Sequence, residues 1–168
     1  MGITLGGHVA NVPRIDDAGN CDIMRWIAEN GVPEKNIHDY GMVSNHLMPE
    51  VFAQADVAVF PNRCEGGTNL VAMEAMASGV PCILSANTGH LDLIEDDNCY
   101  PITNQAEISS LPYAKDWGES SVDEIVELLC RVYANKHEAR LRGEQGTKFM
   151  KDWSWEKRTK YLIDRISE

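Results

Sequence analysis

Short apolar runs alternating with helical segments constrain this chain more than any other feature. DVAVFP (56–61), PCILS (81–85) and NCYPI (98–102) are short for helices and apolar enough to be strands covered on both faces. ITLGG (3–7) and NIHDYG (36–41) are two further strand candidates. The segments between them are helical in pattern. CDIMRWIAEN stops at Gly31 with Pro33 just beyond, HLMPEVFAQA carries Pro49 in its first turn, and a helix after Asn69 stops at Gly79. TGHLDLIED reads as a short helical turn. Strand and helix alternating through short links imply right-handed crossovers and a parallel sheet. The expected fold is therefore α/β, a Rossmann-like three-layer sandwich with a mostly parallel sheet, forming one domain over residues 1–168. With 168 residues and 43% hydrophobic content the chain can bury a real core.

Residues 103–120 are polar, contain Pro112 and Gly118, and read as a surface connection. The remainder is helical. SVDEIVELLCRVYANK puts Val122, Ile125, Leu128, Leu129 and Val132 on one stripe, a second helix covers Glu138 to Lys151, and Ser154 caps a third, SWEKRTKYLIDRI. Trp153 and Trp155 flank that last start and are expected to pin the helix to the body.

A formal net charge of −11 argues against a nucleic-acid partner, whose phosphates the chain would repel. The five cysteines show no CxxC, and the five histidines do not pair with them at metal-ligand spacing, so reduced thiols are expected rather than disulfides or zinc. The acidic Asp92, Glu95, Asp96 and Asp97 fit no oxygen-ligand loop and read as a solvated turn. No transmembrane segment and no secretory signal is evident, and a cytoplasmic protein is the expectation.

CEGGTNLVAMEAMASGVP (64–81) raises the functional question. Leu70, Val71, Met73, Met76 and Ala77 spread around most of a helical wheel, and Glu74 is the lone charge among them. Burying an ionised carboxylate without partners costs several kcal/mol. Glu74 can reach solvent at the helix edge, pair with an Arg or Lys, or accept hydrogen bonds from neighbouring ligand hydroxyls such as those of a ribose. Gly66 and Gly67 support the last reading. They follow a strand and precede a helix, where backbone N–H groups and the helix N-terminus favour phosphate. Such a turn lies at the carboxyl edge of a parallel sheet, where open α/β folds bind ligands.

ADVAVFPNRCEGGTNLVAMEAMASGVPCI resembles the C-terminal nucleotide-sugar-binding region of the group 1 glycosyltransferases of GT-B fold, which retain anomeric configuration. NIHDYGMVSNHLMPEVFAQADVAVFP upstream and KDWSWEKRTKYLI downstream are similar to further segments of that family, so the resemblance covers about residues 36–168. It implies that Glu74 holds the ribose hydroxyls and that Glu65, the catalytic candidate, lies beside the donor sugar. It further implies that the backbone of Gly66, Gly67, Thr68 and Asn69 faces the diphosphate and sugar. Met42 and Val43, with Ser44 beside them, would contact the base, although ordinary core packing also suits Met42 and Val43. Arg63 reads as a surface arginine, and His90 as a structural helix-start histidine that can also face the cleft.

The implied donor is a UDP-, GDP- or ADP-sugar, with no metal and no separate cofactor. The acceptor is an unknown glycosyl acceptor, and no protein nucleophile is firmly assigned. Two departures from the family stand out. Eight residues separate Glu65 from Glu74 where the family usually has seven, so the turn carries one more residue and Glu65 can be displaced. The chain also begins at what looks like the second strand of the C-terminal lobe. The expectation is of a chain without the N-terminal lobe and without the Arg and Lys that clamp the diphosphate in the family; Arg14 is the one basic residue in MGITLGGHVANVPRIDDAG besides a histidine. A missing N-terminal lobe or partner chain would complete the site, and exposed lobe surface can drive a homo-oligomer. The isolated chain is expected to transfer poorly or not at all. A non-catalytic sugar-nucleotide-binding or interaction module, and a sugar-nucleotide epimerase-like domain, remain as alternatives.

Overall fold

The computed structural model describes residues 23–108 and 114–167, so the strand expected at 3–7 and the basic residue Arg14 lie outside the described residues. The chain divides into two compact units, one ending at Asn45 and one beginning at His46.

In the first unit, helix α1 (Ile23–Glu29) ends at Gly31, where φ is +71°; the N–H of Gly31 reaches Ala28 O and that of Val32 reaches Ile27 O, both at 3.1 Å. The strand expected at 36–41 is not formed. A 3-10 turn occupies Glu34–Asn36, and extended backbone follows with no ladder partner among the described residues. The Asp39 carboxylate takes the Gly41 N–H at 2.7 Å and closes a local turn instead.

The second unit is built on a parallel sheet of three strands, β1 (Ala58–Phe60), β2 (Cys82–Ser85) and β3 (Tyr100–Ile102), in that spatial order. Ala58 pairs with Cys82 and Ile83 with Tyr100, so β2 is central and wholly buried. The two-residue period of a strand then sorts the core. Cys82 and Leu84 face α2 (Met48–Phe52), α3 (Leu70–Ala77) and the end of α5 (Lys136–Met150), through Phe52, Ala72, Ala75, Met76 and Met150. Ile83, with Tyr100 and Ile102, meets Val132 and the half-buried Ile125, Leu128 and Leu129 of α4 (Val122–Ala134). Helices thus cover both faces of the sheet, the layering expected for an α/β Rossmann-like fold. Val122 is the member of the expected α4 stripe that fails, being exposed.

Residues 103–120 contain more order than composition suggested. β4 (Gln105–Glu107) and β5 (Gly118–Ser120) pair antiparallel, with Gln105 opposite Ser120. Three-residue strands separated by a polar stretch leave no periodic signal, and only their pairing defines them. Arg142 fastens α5 to β3. Its guanidinium donates to Cys99 O at 2.6 Å, meets Glu138 at 3.1 Å and lies 4.6 Å above the Tyr100 ring.

Ser154 caps α6 (Trp155–Ile166) by accepting the Lys157 N–H, but every described residue of that helix is exposed. Trp155 is 86% exposed and pins nothing; Trp153 alone packs, beside Phe149 and beneath the Arg158 guanidinium at 3.9 Å.

Glu124, in the first turn of α4, holds the chain as it leaves β3. Its carboxylate accepts the Thr103 N–H at 3.0 Å, the Thr103 hydroxyl at 2.9 Å and the Asn104 N–H at 2.7 Å. Partial desolvation opposes ionisation, yet these donors outweigh it and hold the carboxyl below the ordinary glutamate range. A depressed folded pKa means stability that is present above the ordinary glutamate value and lost as pH falls through the folded one. Urea titrations of wild type and Glu124→Gln should therefore differ most near neutral pH and converge on acidification. A gap independent of pH would remove this assignment.

Candidate functional site

The turns leaving β1, β2 and β3 lie on one edge of the sheet and are bound to one another by side chains. Asn87 donates to Asn62 O at 2.9 Å and to Gln105 Oε1 at 3.1 Å, linking the first turn to the second and third. Gly118 N donates to Arg63 O at 3.0 Å, bringing β5 to the same edge. The Arg63 side chain pairs with Glu119 and is half exposed, so it has a protein partner for its charge.

Glu65 sits at the centre of the first turn and is half-buried. Its N–H donates to Thr88 Oγ1 at 2.7 Å, and its carbonyl accepts the Gly89 N–H at 3.4 Å. Its Oε1 accepts from Asn62 Nδ2 at 2.6 Å and from Asn69 Nδ2 at 3.2 Å. Burial raises its pKa, with the Asn62 amide pulling the other way. No described protein donor engages Oε2, which leaves half of this carboxylate available. Glu65 is thus held in this turn by backbone and side chain alike.

Asn69 caps α3, accepting the Ala72 N–H on Oδ1 at 3.1 Å. That contact makes Nδ2 the donating end, and it reaches both Glu65 Oε1 and His90 Nε2, the latter at 3.1 Å. His90 is fully buried. Its Nδ1 lies 3.1 Å from Ser85 O, a carbonyl that can only accept, and 2.9 Å from Ser85 Oγ, whose proton goes to Asn62 O at 2.7 Å. Nδ1 therefore carries the proton and Nε2 is the bare acceptor. Burial lowers the His90 pKa, against the pull of the Ser85 carbonyl, and keeps the ring neutral.

Thr88 stands at φ +39°, an unusual conformation for a β-branched residue, and its hydroxyl donates to Asn87 Oδ1 at 3.0 Å while accepting from Glu65. Gly89 follows it and was not singled out from sequence. A Cβ there would fall 1.4 Å from Gly67 O, so the two turns touch backbone to backbone.

Gly66 and Gly67 are different: both are exposed, and a Cβ on either would meet nothing within 4 Å. Protein packing does not demand glycine at these positions. From Gly66 to Val71 the backbone N–H groups have no protein acceptor among the described residues, the cap serving Ala72 alone. Unpaired N–H groups running into a helix start favour an anion. Thr68 is half-buried within this run.

Glu74 lies one turn into α3 on the same side as Leu70, which is 64% exposed. That side of α3 is the one left uncovered, so the helix is not apolar and enclosed all round as its composition suggested. Glu74 is half-buried and has no hydrogen-bond or ion-pair partner for its carboxylate among the described residues. The full burial cost inferred from its neighbours is therefore not incurred, and the basic-partner reading is removed for the described chain.

The structure thus gathers Glu65, Gly66, Gly67, Thr68, Asn69 and Glu74 in the second unit. Met42, Val43 and Ser44 belong to the first, where Met42 is fully exposed, Ser44 exposed and Val43 half-buried. Full exposure excludes the core-packing reading for Met42. Among the described residues no His, Cys, Asp and Glu side chains converge as metal ligands, and no helix is long and apolar enough to cross a membrane. The four described cysteines are free; burial pushes the Cys82 thiol well up and that of Cys99 to about 12, so neither supplies a thiolate at neutral pH.

Solved structures share this architecture. A sucrose-phosphate synthase from Thermosynechococcus elongatus superposes with a TM-score of 0.65 at 22% identity, over 86% of this chain and 33% of that one. Alr3699/HepE from Anabaena, solved in complex with UDP, gives 0.62 at 14% identity, over 86% and 35%. The C-terminal domain of the group 1 glycosyl transferase LpcC from Francisella tularensis gives 0.55 at 20% identity, over 76% and 58%. At such identities the likeness establishes the fold, and the chain spans about a third of the first two proteins. No curated protein sequence matches it. The family described as Glycosyl transferases group 1 matches residues 17–130, more than half of the chain and including the whole β1–α3 turn, and the chain belongs to that family.

Proposed function

We propose that the chain is a single nucleotide-sugar-binding domain, the C-terminal lobe of a retaining GT-B glycosyltransferase, that holds the donor while a second lobe supplies the acceptor side. The observation that carries this reading is the pairing of a partnerless Glu74 on the open side of α3 with the unpaired N–H groups of Gly66 to Val71 at its start. A nucleoside diphosphate matches both. Its ribose offers two neighbouring hydroxyls to the two oxygens of Glu74, and its phosphates offer anionic acceptors to the N–H groups. Within the second unit, the free Oε2 of Glu65 is assigned to a hydroxyl of the donor sugar.

Group transfer then breaks the bond between the sugar's anomeric carbon and the diphosphate, and forms one to the acceptor oxygen. The acceptor's proton passes to the departing diphosphate. The N–H groups stabilise charge that grows on that diphosphate, and Glu65 positions the sugar, so catalysis rests on orientation and electrostatics without a metal.

Calorimetry on the chain with UDP, GDP and ADP tests this reading. UDP is the natural first choice because HepE was solved with it. One of the three is expected to bind, with affinity unchanged by EDTA, and glycosyl transfer by the chain alone is expected to be weak. Absence of binding by all three would overturn the functional reading. Robust transfer without a second lobe would overturn the need for one.

A further inference from the structure

We infer that His90 is a positioning residue for the donor site, acting as a neutral hydrogen-bond acceptor that holds the Asn69 amide. This rests on the donor-binding reading above and adds to it a residue that touches no ligand. The contacts form a closed ring. Asn62 donates to Glu65, Asn69 donates to Glu65 and His90, His90 donates to Ser85, and Ser85 donates back to Asn62 O. Glu65 is the one charged member. Every direction of donation is fixed by a group with a single choice: the Ala72 N–H at one end of Asn69, and the Ser85 carbonyl beside Nδ1 of His90.

The ring joins two functions in one side chain. Asn69 caps α3, which sets the N–H groups offered to phosphate, and it also holds Oε1 of Glu65, which sets where Oε2 points. His90 reinforces the orientation that the Ala72 N–H sets, because its bare Nε2 can only accept from that amide's Nδ2. A protonated ring, or one carrying its proton on Nε2, would confront the Asn69 amide donor to donor. Either the cap on Ala72 or the contact to Glu65 would then be lost. The strained Thr88 and the close approach of Gly89 to Gly67 hold the imidazole at this distance from the first turn.

Long-range proton–nitrogen NMR on the imidazole-labelled chain should show a proton on Nδ1 and a bare Nε2 at neutral pH. A proton on Nε2 would overturn the inference. In His90→Phe, affinity for whichever nucleotide the wild type binds should fall about tenfold, the loss of one buried hydrogen-bonded contact. Unchanged affinity in a folded variant, checked by circular dichroism, would also overturn it. Should that variant fail to fold, Asn69→Asp gives an independent answer. Aspartate keeps the cap on Ala72 but has no N–H for His90, so the imidazole must become the donor and its titration midpoint must rise. A midpoint that stays put overturns the inference. If the wild type binds none of the three nucleotides, the functional reading fails on its own, while the tautomer and the Asn69→Asp titration still decide the role of His90.

Discussion

Replacing Glu74 with alanine should lower nucleotide affinity about 100-fold, the equivalent of two hydrogen bonds to a charged acceptor. The melting temperature of the free chain should hardly move. Both halves follow from the same feature. Glu74 has no hydrogen-bond or ion-pair partner to lose among the described residues, and it sits beside an exposed Leu70 on the open side of α3, so removal breaks no polar contact there. Alanine is also the better helix former. A carboxylate kept for folding would behave the other way, with stability falling and affinity intact. Calorimetry and thermal melts on the same preparation separate the two outcomes, and the second would remove Glu74 from the site.

Gly89→Ala is expected to be the most damaging single methyl in the second unit. Its Cβ would meet Gly67 O at 1.4 Å and Gly67 C at 2.6 Å, both backbone atoms of a turn already held by Asn62, Thr88 and Asn69. Neither turn can retreat without breaking several hydrogen bonds. A loss of about 3 kcal/mol, the upper part of the range for overpacking, is the expected result in urea unfolding. Gly66→Ala is the control: its Cβ meets nothing within 4 Å, and stability should stay within about 0.5 kcal/mol. A tolerated Gly89→Ala would mean that the two turns are not in contact, and the ring through His90 would lose its support.

Much of the fold was legible because it is written in local patterns. The apolar runs at 58–60, 82–85 and 100–102 pair as a parallel sheet, a helix follows Asn69, and Ser154 caps the last helix. Pro49 lies in the first turn of α2, and Gly79, at φ +79°, ends α3. The strand misreadings share one cause. NIHDYG has strand composition but no ladder partner in the described chain, whereas Gln105–Glu107 and Gly118–Ser120 have weak composition and do pair. Strand formation is decided by the partner, which lies elsewhere in the sequence.

The site divides along the same line. Spacing alone set Glu74 one turn into a helix behind a glycine turn, and this came from residues within ten of one another. Its surroundings did not. Which side of α3 stays uncovered depends on how α2, α5, β1 and β2 pack around it. The contacts of Asn69 with His90, of Ser85 with Asn62 and of Gly89 with Gly67 join residues more than twenty positions apart. Periodicity and caps act within a turn or two of the chain, so a single sequence carries them. Burial and hydrogen-bond direction between distant residues arise only when the sheet brings its strand ends together.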